Sequence, residues 1–91
     1  MRGRTVTTRN IMKTVPPQTL MQAHEELVRT RPCRMASLSV WLAYYQRSVE
    51  VYEQIAKSDP GHEGEALYWA QRERVHARGI EARIRLLGKE Q

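Results

Sequence analysis

Residues 38–87 read LSVWLAYYQRSVEVYEQIAKSDPGHEGEALYWAQRERVHARGIEARIRLL, and this stretch decides the fold. Upstream of Asp59-Pro60, Leu38, Trp41, Tyr45, Ser48, Tyr52 and Ile55 recur at alternating steps of three and four. Downstream, Ala66, Trp69/Ala70, Glu73, Ala77, Ile80, Ile84 and Leu87 follow the same rhythm. That is the seam spacing of packed helices. Folding the chain back at Pro60 pairs Ile55 with Ala66, Tyr52 with Trp69, Ser48 with Glu73, Tyr45 with Ala77, Trp41 with Ile80 and Leu38 with Ile84. The paired residue numbers sum to 121 or 122, as an antiparallel hairpin requires. The polar residue of each list falls in the same row, Ser48 opposite Glu73. A polar row in an apolar seam fixes register. If Glu73 is buried it needs a donor, and Ser48, Arg47, His24 and His76 are the candidates.

Outward from the hairpin, the helix signals are local. Ser37 or Ser39 can cap the second helix. That helix is apolar around much of its circumference, with Val40, Leu42, Tyr44, Val49 and Val51 outside the main stripe. It therefore needs more than one neighbour, which makes it central. Asp59 can cap the third helix, and Pro60 suits a first helical position. Glu63 and Glu65 sit in its first turns and Arg78, Arg83, Arg85 and Lys89 toward its far end, which complements the helix dipole. Thr19-Leu20-Met21-Gln22 has the form of a capping box. It opens a short first helix with Leu20, Ala23, Leu27, His24 and Val28 on its apolar side, which Pro32 closes. The expected fold is all-α, a short first helix packed on a long antiparallel helical hairpin. The helices are expected at about 19–30, 37–58 and 61–87, forming one domain over 19–91, behind a basic arm at 1–18 in which Pro16-Pro17 opposes regular structure.

Composition narrows the class. The chain has 91 residues, 41% of them hydrophobic, with no Phe and a single cysteine. It can bury a thin core, and a shared surface would add to it. No run approaches the ~18 apolar residues of a membrane span. No apolar segment of the signal-peptide kind follows the basic start. One cysteine cannot form an internal disulfide, which fits a cytoplasmic, reducing setting. The formal charge of +5 sits mostly in the first fifteen residues, where Arg2, Arg4, Arg9 and Lys13 meet no acid. Met12 is an alternative start that would remove the first three.

Chemistry-bearing patterns are few. His62 and Glu65 are one helical step apart, but His76 lies 11 residues beyond Glu65, so no metal set forms. Cys33 has no resolving partner. There is no phosphate loop and no nucleophile elbow. No catalytic residue, metal or cofactor is expected. A second apolar line on the third helix, Tyr68, Val75, Ala82 and Leu86, can either receive the first helix or meet a partner. With Tyr44 and Val51 of the second helix, Tyr68, Val75 and Leu86 form the expected interaction surface.

Two resemblances accompany these patterns. Tyr52-Glu53-Gln54-Ile55-Ala56-Lys57-Ser58-Asp59-Pro60 followed by Glu65-Ala66-Leu67-Tyr68 resembles the junction between tetratricopeptide repeats. Its loop is about one residue longer, and a solenoid takes ~3 or more repeats, so the likeness is that of a helical hairpin. Trp41-Leu42-Ala43-Tyr44-Tyr45, Tyr52, Asp59-Pro60-Gly61-His62 and Glu65-Ala66-Leu67-Tyr68-Trp69-Ala70 are similar to a family of small uncharacterised actinobacterial helical proteins. That resemblance implies a bacterial cytoplasmic protein and brings no activity.

The expected function is a non-enzymatic helical protein–protein interaction module, a homodimer or bound to a protein partner, of the kind that serves as an accessory to a transcriptional regulator. One alternative is a nucleic-acid-binding protein using Arg2, Arg4, Arg9, Lys13, Arg74, Arg78 and Arg85. The other is a small-molecule binder whose pocket is lined by Trp41, Tyr45, Tyr52 and Trp69 near Glu73.

Overall fold

The computed structural model describes residues 15–89. The expected arm residues Arg2, Arg4, Arg9, Met12 and Lys13 lie outside them. Among the described residues three helices follow in order: α1 Leu20–Arg29, α2 Leu38–Ser58 and α3 Glu63–Lys89, with a 3-10 turn at Pro60–His62 leading into α3. The fold is all-α, with α1 short and α2 and α3 packed as a long antiparallel pair.

The starts of α1 and α2 carry the expected chemistry. The Thr19 hydroxyl accepts from the Gln22 backbone N–H while the Gln22 side chain accepts from the Thr19 N–H, closing the capping box. Ser37 Oγ accepts from the Val40 N–H and caps α2. Asp59 departs from expectation. Its carboxylate makes no cap on the 3-10 turn. It accepts instead from the Leu20 N–H at 3.0 Å, 39 residues away, and from His62 Nδ1 at 3.0 Å. The hairpin turn thus satisfies the orphan donor at the start of α1, and the Ser58 hydroxyl donates to the Gln18 carbonyl beside it.

The hairpin register is the one read from sequence. Ile55 and Ala66 are both fully buried, and the Tyr52 and Trp69 rings lie nearly parallel with centroids 6.2 Å apart. Further along, Tyr45 stacks on His76 at 4.9 Å, next to buried Ala77. The core is concentrated near the turn, where Leu20, Ala23 and Leu27 of α1 meet Tyr52, Ile55, Ala66 and Ala70. Val28, expected on the inner side of α1, is exposed, because the groove closes on Leu27 and His24 one step earlier. Away from the turn the pair has only two layers, and Leu38, Trp41, Leu42, Ile80 and Ile84 are half-buried. No helix among the described residues is long and apolar enough to cross a membrane.

Candidate functional site

Two places on this frame gather the residues singled out from sequence. The first is a cleft of about 240 Å³ where α1 crosses the α2–α3 seam, with Glu73, Ser48, Tyr52, Trp69, His24 and Arg31 among its walls. Ser48 and Glu73 therefore do share a row, but not a hydrogen bond. Ser48, 1% exposed, donates to the Tyr44 carbonyl one turn back on its own helix. Arg47 is paired with Glu26 at 2.7 Å, and His24 Nδ1 contacts the Tyr52 hydroxyl at 2.7 Å. The donor expected for Glu73 is thus absent among the described residues. Glu73 is half-buried and lines a cleft open to solvent, so it needs a protein donor less than a fully buried carboxylate would.

The electrostatics follow from this placement. Burial raises the Glu73 carboxyl above the ordinary carboxylate value, and the nearby His76, Arg72 and Arg31 offset part of the rise. Burial likewise pushes the Tyr52 phenol up to about 12, with the Glu73 charge adding to the shift. The expected aromatic pocket is only half assembled here. Tyr52 and Trp69 line the cleft, whereas the Trp41 and Tyr45 rings pack on each other at 5.7 Å farther down the hairpin. Arg31 ties the connector to that second group, its guanidinium 5.2 Å from the Trp41 ring centre.

The second place is the outer side of α3. Tyr68, Val75 and Leu86 are 57%, 54% and 61% exposed. They point about half a turn away from the Ala66–Ala70–Ala77 face that meets α2. So this apolar line does not receive α1. Two other residues expected on the interaction surface are placed differently. The Tyr44 hydroxyl donates to the Leu27 carbonyl at 2.7 Å, and Tyr44 and Val51 both pack against the core cluster. They pack where α1 lands on α2, a side of α2 that the sequence reading assigned to a partner.

Arg74 is paired with Glu53 across the hairpin, which leaves Arg78 and Arg85 of that face. Cys33 is free and exposed. Among the described residues no group of three or more His, Cys, Asp or Glu side chains converges to hold a metal.

Gly79, which the sequence reads as a helix-interior glycine suited to a close helix approach or a bend, lies on this outer side. Tyr68, Arg72, Val75, Gly79, Ala82 and Leu86 recur at steps of four, three, four, three and four, a second seam on the same helix. The glycine and the arginine hid it from a reading of apolar residues alone. The fold defines an all-α protein with a three-helix arrangement. Comparison of the chain with protein-family models, with curated proteins and with solved structures finds no match.

Proposed function

We propose that this chain is a non-enzymatic helical protein–protein interaction module whose contact surface is the outer side of α3. The observation that carries this reading is the row Tyr68, Val75 and Leu86, each more than half exposed along one helix face. Scattered exposed apolar residues need no explanation, but apolar residues aligned at seam spacing along one helix face suit a surface that buries itself on a partner. Photo-crosslinking in cells tests it. Benzoyl-phenylalanine in place of Val75 is expected to give a discrete protein adduct. The same residue in place of the exposed Gln54 on α2 is not. Equal labelling at both positions would contradict the reading.

A second reading, a small-molecule binder, is favoured by one observation: Glu73, without a protein donor, shares its cleft with the Tyr52 and Trp69 rings. Carboxylate and aromatic faces together suit a small organic cation. Tetramethylammonium is the simplest probe. In a Trp41→Phe background, saturable quenching of Trp69 that Glu73→Gln abolishes would support this reading, and no saturable response would end it.

A further inference from the structure

We infer that the partner of the α3 outer side is a second copy of this chain, packed antiparallel with Tyr68 of each copy over Gly79 of the other. The inference rests on the interaction-module reading above and names its partner.

Gly79 is the first observation. It lies inside a 27-residue helix, where glycine is less favourable than alanine. Its φ is not positive, so no left-handed turn calls for it. A Cβ built there would meet nothing within 4 Å, so no close approach inside the chain calls for it either. The residue is unexplained by the monomer. In a seam it is a notch, and a notch accepts a large side chain from a facing helix. The largest apolar side chain on the same stripe is Tyr68.

Charge is the second observation, and it selects the direction. Residues 50–65, around the turn, hold five acids and one base. Residues 29–49, which lead into the far end, hold four arginines and no acid, and Arg78, Arg83 and Arg85 lie on the distal half of α3. A parallel pair would stack like on like, whereas an antiparallel pair sets the acidic turn of each copy against the arginines of the other. With Tyr68 opposite Gly79, helical geometry brings Glu65, at the edge of the stripe, within one residue of level with Arg83 of the second copy. Leu86 then faces the Pro60-Gly61 turn. Arg72, which interrupts the stripe, carries its guanidinium over the Trp69 ring at 5.4 Å, which turns its charge aside. The contact is isologous, so it closes as a two-fold dimer.

Disulfide trapping in a Cys33→Ser background tests both partner and register. Tyr68→Cys chains mixed with Gly79→Cys chains are expected to form a mixed disulfide dimer. Either variant alone is not, because its two copies of one cysteine would lie about 17 Å apart along the axis at 1.5 Å per residue, beyond the reach of about 7 Å. Tyr68→Cys linking to itself would overturn the antiparallel arrangement. Gly79→Leu provides the check on affinity. It projects into open space in the monomer, so helical circular dichroism is expected to be retained while the dimer dissociation constant rises at least tenfold. An unchanged constant would overturn the Gly79 contact. Glu65→Arg and Arg83→Glu are each expected to weaken the dimer, and the doubly exchanged chain to recover it. A chain that stays monomeric yet gives a Val75 adduct with another protein would remove the second copy as partner and leave the interaction module standing.

Discussion

The donor that Glu73 lacks and the one that Asp59 gains are opposite cases of one rule. Asp59 accepts the Leu20 N–H and the His62 contact, and these hold its carboxyl below the ordinary value, the backbone bond most of all. A lowered carboxyl pKa adds stability above the unfolded-state pKa, and that stability is lost as pH falls through the lower folded value. Asp59→Asn is therefore expected to loosen α1 at neutral pH and to flatten the acid limb of the unfolding profile. Backbone hydrogen exchange at Leu20 reads the first effect and thermal melts across pH 2–6 the second, as about the window where carboxyls titrate. Glu73 has the reverse sign. Its raised pKa costs stability once pH rises past the unfolded-state value, so Glu73→Gln is expected to raise the melting temperature at pH 7 by a few degrees and to leave it unchanged in acid. A fall at pH 7 would show a donor that the cleft does not display.

At the scale of elements, the hairpin was legible because its two lists share a period and a turn. Ser48 and Glu73 occupy one row as the pattern demands, although the hydrogen bond between them does not exist. The pattern fixes which residues face each other, and side-chain reach decides what they touch: Ser48 is short enough to return to its own helix. The side of α2 that α1 covers was not legible. Tyr44 and Val51 looked as free as Tyr68 because a ten-residue helix carries no signal for where it docks, and the anchor that places it, Asp59, lies 39 residues away. The seam side of α3 was legible in its apolar members and hidden at Gly79. Energetics should follow the layering. Ile55, fully buried where three helices meet, is expected to lose about 2–5 kcal/mol on Ile55→Ala. Leu38→Ala, in the two-layer end, is expected to cost less, which chemical denaturation compares directly.

The molecule as a whole is a thin pair of long helices with a third, short helix closing one end. Its extents are 56 × 36 × 18 Å, and α3, about 40 Å long at 1.5 Å per residue, has α2 on one side and an apolar stripe on the other. A chain of this size gains from a shared surface, and the stripe and the charge polarity both indicate where that surface lies. The expected consequence is association that weakens as salt screens the acidic turn from the facing arginines. Sedimentation equilibrium at low and at high salt reads that dependence.

If the outer side of α3 joins two copies of this chain, the mass in solution must show it. Light scattering on the purified 10.6 kDa chain across a rising concentration series is expected to climb to twice that mass for the wild type, and to do so for Gly79→Leu only at concentrations at least tenfold higher. A wild type that stays at the single-chain mass throughout, or a Gly79→Leu variant that dimerises as well as the wild type, would contradict the account of that interface.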